Sequence, residues 1–110
     1  MAHIESRVHG EADPSREVTD QIFLVGQRVE RIRRRAGEAQ QTAADSFDKS
    51  ADSHDRTAES YEKLAERAPH ENDYLEHAAR HREFAQEDHR IAQRLRQMAK
   101  DVLMAGARPD

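Results

Sequence analysis

Five side chains of this sequence have the types and spacing to meet around a metal ion: His54, His77, His81, Asp88 and His89. His77 and His81 stand one helical turn apart, a spacing that lets two imidazoles grip one ion from a single helix face. Zinc, nickel or copper takes such nitrogen ligands. Histidine also titrates in the physiological range, so the same group allows a proton-responsive layer. Two absences weigh against a dedicated metal site. No Glu-x-x-His occurs, which removes the usual di-iron pattern of helical bundles, and no cysteine is present to supply a thiolate. The plainer reading makes His54 a polar core residue hydrogen-bonded to Asp88, fixing helix register as buried polar groups can. His77, His81 and His89 then line the rim, and no cofactor is expected.

A second group is basic. Arg28, Arg31, Arg33, Arg34 and Arg35 are interrupted by one acid, Glu30. Such a block suits phosphate backbones or anionic lipid. No aromatic residues interleave to stack on bases, and the net charge of −4 gives no global nucleic-acid signal. The adopted reading is that these arginines complement a helix C-terminus and keep an apolar helix soluble. For catalysis the chain offers no glycine-rich phosphate loop, no nucleophile elbow and no serine set beside a base and its orienter. Ser46, Ser53 and Ser60 share one stripe and read as surface.

The elements that position these groups follow from composition and period. The chain has 110 residues, 35% hydrophobic and 36% charged. Alanine, glutamate and arginine at helical periodicity make this an all-α chain of long exposed helices. No apolar run approaches the length of roughly 18 residues that a membrane span needs, and the N-terminus lacks the plan of a signal peptide. A cytoplasmic location is expected. Residues 1–13 read as an N-terminal tail, 14–104 as one helical-bundle domain and 105–110 as a C-terminal tail.

Asp13-Pro14 reads as a helix start, with Glu17 suited to the first turn. Val18, Ile22, Val25, Val29, Ile32 and Ala36 then recur with spacing four, three, four, three, four. This seam predicts a first helix over about 14–36, ended by Gly37 after the basic run. Phe23 and Leu24 widen its apolar face. Thr42 with Asp45 reads as a capping box that starts a second helix over about 42–67. Asp45–Lys49, Asp52–Arg56 and Glu59–Lys63 lace its surface. Pro69 and His70-Glu-Asn-Asp73 form a turn, with Asn72 or Asp73 capping a third helix over about 73–104.

Helix two repeats every seven residues: Ala44-Asp-Ser-Phe-Asp-Lys-Ser50, Ala51-Asp-Ser-His-Asp-Arg-Thr57, Ala58-Glu-Ser-Tyr-Glu-Lys-Leu64. Helix three carries alanine at 78, 85, 92 and 99. Folding the two together pairs Ala65 with Ala78, Ala58 with Ala85, Ala51 with Ala92 and Ala44 with Ala99, each pair summing to 143. Small residues let two helices approach closely. The predicted fold is an antiparallel alanine-rich hairpin with an N-terminal amphipathic helix. That helix either lies in the hairpin groove as a three-helix bundle or pairs in a dimer. The rival connectivity is a single long helix from Pro14 to Arg67, bent near Gly37. In the register of 143, His54 faces Asp88, while His54 and His81 lie about 10 Å apart along the axis.

The stretch from Ala51 to Glu66, with His81-Arg-Glu-Phe-Ala-Gln-Glu-Asp88, resembles small alanine- and arginine-rich helical proteins of actinobacteria, especially mycobacteria. Fifteen arginines against three lysines fit a GC-rich genome. The resemblance covers roughly residues 42–104 and carries no activity or residue role with it. The functional expectation rests on the residues: a non-enzymatic helical interaction module. It associates with itself, as a homodimer, or with a helical partner, through Val18, Ile22, Phe23, Leu24, Val25, Val29 and Ile32.

Overall fold

A computed structural model of the chain describes residues 14–105. The expected tail over 1–13, the Asp13 cap and the Gly106 stop lie outside these residues. Among the described residues there are two helices: α1, Pro14–Ala65, and α2, Glu71–Ala105. They lie side by side in a hairpin, with overall dimensions of 99 × 28 × 12 Å.

The first correction concerns Gly37. It does not end a helix, and α1 runs through it for 52 residues. The long-helix connectivity is the one found, and among the described residues no separate third helix folds into the groove. A glycine stop works by taking a positive φ, and no described residue has one. Glycine in a helix interior costs about 1 kcal/mol relative to alanine, too little to halt a run that continues through Glu38, Ala39, Gln40 and Gln41. Thr42 consequently lies inside the helix, where its carbonyl accepts a hydrogen bond from Ser46 Oγ at 3.2 Å. The capping box is not formed.

Pro69 does terminate α1, since it brings no N–H and disfavours helical backbone at the residue before it. The connection is the five residues 66–70, closed by Arg67 N–H to the Leu64 carbonyl at 3.1 Å. Tyr74 N–H donates to the His70 carbonyl at 3.2 Å. The second helix thus starts at Glu71, two residues earlier than expected. Asn72 and Asp73 sit within its first turn rather than capping it, where the Glu71 and Asp73 carboxylates complement the helix dipole.

The core is the predicted pair of alanine columns. The buried residues are Ala44, Ala51, Ala58, Ala65, Ala78, Ala85, Ala92 and Ala99, together with Gly37. Gly37 stands seven residues before Ala44 and continues the column. A Cβ on it would lie 2.7 Å from Leu103 Cγ, so the absence of a side chain is what lets α2 close there. No larger side chain is fully buried among the described residues. Contact between closely spaced backbones replaces the usual interior of large apolar groups.

The register is also corrected. Contacts across the hairpin run from His54–His81, summing to 135, to Arg96–Asp48, summing to 144. They centre near 140. Ala58 therefore fits between Ala78 and Ala85 instead of standing squarely opposite Ala85. The earlier turn has the same cause, because a smaller sum places the bend nearer the N-terminus.

Candidate functional site

The alanine seam has two unlike flanks. On one, acids recur on α1 at Asp48, Asp55 and Glu62, and bases recur on α2 at Arg82, His89 and Arg96. Arg82 grips Glu62 with two hydrogen bonds, of 3.1 and 2.6 Å, and reaches Asp55 at 3.4 Å. Arg96 reaches Asp45 at 2.9 Å and Asp48 at 2.6 Å. His89 Nδ1 meets Asp48 at 3.0 Å. Hydrogen bonds from His89 and then Arg96 hold the Asp48 carboxyl below the usual carboxylate range. Arg82 does the same for Glu62. Asp45 thus points across the hairpin, whereas Glu59–Lys63 forms the expected bridge along α1, at 3.2 Å.

The other flank is aromatic and imidazole. Tyr61 stacks on Tyr74, His77 and His81, with ring centroids 6.1, 5.1 and 5.9 Å away. His54 Nδ1 lies 2.9 Å from His81 Nδ1, so one ring donates and the other accepts. Phe84 closes the layer 5.3 Å from His54. The expected separation of His54 and His81 along the axis is wrong because it assumed the register of 143. The expected facing of His54 and Asp88 is found, with His54 Nε2 at 4.0 Å from Asp88 Oδ2. That oxygen is buried and accepts no hydrogen bond within the protein.

The five candidate ligands do not converge on a point. His54 turns one nitrogen to His81 and the other to Asp88, His77 stacks on Tyr61, and His89 binds Asp48 on the opposite flank. Among the described residues no three histidine, cysteine or acidic side chains are placed to hold one metal ion. His54, His81 and Asp88 lie instead as a polar layer between the two helices.

The arginine block lies inside α1 rather than at its end, so it complements no helix C-terminus. Arg33 bridges Glu30 at 3.6 Å, and Arg28, Arg31, Arg34 and Arg35 are exposed.

The seam predicted for the first helix stands apart from all this. α2 reaches along α1 only as far as Gly37, against Leu103. The preceding 23 residues, Pro14 to Ala36, extend beyond the hairpin for roughly 35 Å. Val18, Ile22, Phe23, Leu24, Val25, Val29 and Ile32 are between 44 and 66% exposed.

Sequence periodicity explains why α2 does not serve this seam. The column Ile22, Val29, Ala36 continues as Ala43, Ser50 and Thr57, at the half-buried edge of the hairpin face. The column Val18, Val25, Ile32 continues as Ala39, Ser46, Ser53 and Ser60, which are exposed. The apolar face of the overhang is therefore turned roughly 130° around the helix from the face that α2 covers. No helix of the described residues is long and apolar enough to cross a membrane. The chain matches no family model, no curated protein and no solved structure.

Proposed function

We propose that this chain is a non-catalytic helical interaction module that associates with a second copy of itself through the overhanging half of α1. The observation that carries the reading is the seam from Val18 to Ile32, 44–66% exposed on a helix that α2 leaves bare. Monomers seldom leave a contiguous apolar patch of this kind without a binding role.

Its residue types point the same way. Thr19, Ile22, Val25, Val29 and Ile32 are β-branched and Gly26 is flexible, so the segment is a poor helix former by itself. An isolated helix of this length is marginal in water, and most helical stability comes from packing an amphipathic face. A partner on the seam supplies that packing. The hairpin beyond Gly37 serves as a rigid arm held by the alanine seam and its two flanks.

The test is the mass in solution. The full chain sediments at twice its 12.6 kDa mass, and Val25→Asp, which puts a charge in mid-seam, sediments as a monomer with its hairpin helicity retained. A wild-type chain that stays monomeric at hundreds of micromolar contradicts the reading.

A further inference from the structure

The geometry points to an antiparallel pairing of two overhangs, in which facing residues sum to 54. This rests on the self-association proposed above and specifies its orientation and register. In that register Val18 faces Ala36 of the other copy, Ile22 faces Ile32, and Val25 faces Val29. All six seam positions find an apolar partner, and the pair closes on itself by a two-fold axis, as an isologous dimer must.

Charge selects this orientation over the parallel one. Arg28 and Arg33 flank the seam, in positions equivalent to the g and e sites of a coiled coil. A parallel pair sets Arg28 against Arg33 of the other copy twice. It also lays both blocks from Arg28 to Arg35 side by side, at the 8–10 Å spacing of packed helices. Five arginines per copy are then offset by Glu30 alone. The antiparallel pair moves the two Arg33 levels about 18 Å apart along the axis. That is more than twice the screening length of about 8 Å at physiological salt. It also brings the acidic residues Glu17 and Asp20 of one copy level with the basic block of the other. One like-charge contact remains, Arg28 against Arg28 at the axis.

Length agrees. With the sum at 54, Pro14 of one copy reaches the level of Gln40 of the other, close to where α2 meets α1 at Gly37. The two overhangs therefore span each other almost end to end. Because the seam is rotated away from the α2 face, the incoming helix does not collide with Leu103 or Met104. The pairing covers Val18, Ile22, Val25, Val29 and Ile32 of both copies, each 44–66% exposed in the single chain, while Phe23 and Leu24 stand to either side of the seam.

Cysteine trapping tests the orientation directly, since the chain has no cysteine of its own. Val18→Cys and Ala36→Cys full-length chains, carrying tags of different mass, are oxidised separately and as a mixture. The sedimentation of each is measured under reducing conditions. The mixture is expected to yield the mixed disulfide at least tenfold over either homodisulfide, and each single variant to yield almost none. Ile22→Cys with Ile32→Cys repeats the test at a second layer. Homodisulfides within the single variants overturn the antiparallel register while leaving self-association standing. A dimer that forms no disulfide at either layer overturns the register as well. A wild-type monomer overturns both readings.

Discussion

The two glycines described in α1 have opposite surroundings and predict opposite effects of one substitution. A Cβ at Gly26 would meet nothing within 4 Å, whereas at Gly37 it would meet Leu103 Cγ at 2.7 Å. Gly26→Ala is expected to raise stability by about 0.5–1 kcal/mol through helix propensity, and to tighten self-association by pre-ordering the overhang. Gly37→Ala is expected to lower stability by on the order of 1 kcal/mol, overpacking outweighing the same propensity gain. Thermal melts of the two variants check the contrast, and equal shifts refute the account of Gly37. Ala58→Leu should cost more, on the order of 3 kcal/mol, by wedging the hairpin at its closest approach. An unchanged melt there would misplace the core. Gly37 shows how local signals mislead: a basic run followed by glycine reads as a helix end. Its position seven residues before Ala44 was the better signal, because it placed Gly37 in the buried column. The clamps of Arg82 and Arg96 were legible in the same way, in the columns Asp48, Asp55, Glu62 and Arg82, His89, Arg96.

For the pair of helices, the same two flanks set the response to acid. Asp48 and Glu62 have carboxyl groups held below their ordinary range in the folded hairpin. Groups depressed in this way contribute stability that is present above the unfolded carboxylate range, near pH 4, and is lost as pH falls through their folded values. The share of the melting temperature that these two carboxylates supply should hold steady from pH 7 to about 5 and be lost below about 4. Arg82→Met should remove the share of that acid limb due to Glu62, whose donor is Arg82, and Arg96→Met should reduce the share due to Asp48, which keeps its first donor, His89. An acid limb unchanged in both variants would place the lost stability elsewhere. The pairing of the two helices was legible in the sequence because alanine recurs every seven residues on both. Its register was not fully legible, because a column of identical small residues fits equally well when staggered by half a repeat. The side-chain layers then choose: His54 with His81, at 135, and His89 with Asp48, at 137, pull the sum down from 143 to near 140, against Arg82 with Glu62 at 144. This also explains why the imidazoles meet each other and not a common point.

Taken whole, the molecule is a rigid alanine-seamed arm with an apolar overhang, and the two parts rest on different contacts. The arm is held within one chain, by backbone proximity and two side-chain flanks. Among the described residues nothing covers the overhang, and in the proposed reading a partner on its β-branched seam supplies the packing that keeps it helical. The seam itself was fully legible from its spacing. Its destination was not, because the groove that a third helix would fill lies on another face of α1. Hydrogen exchange measured at two protein concentrations, tens of nanomolar and hundreds of micromolar, separates the parts most directly. Self-association through the overhang predicts that amides from Val18 to Ala36 exchange freely when dilute and become protected when concentrated. Amides between Ala44 and Ala65 should keep the same protection at both concentrations. Exchange over 18–36 that ignores concentration would contradict the account.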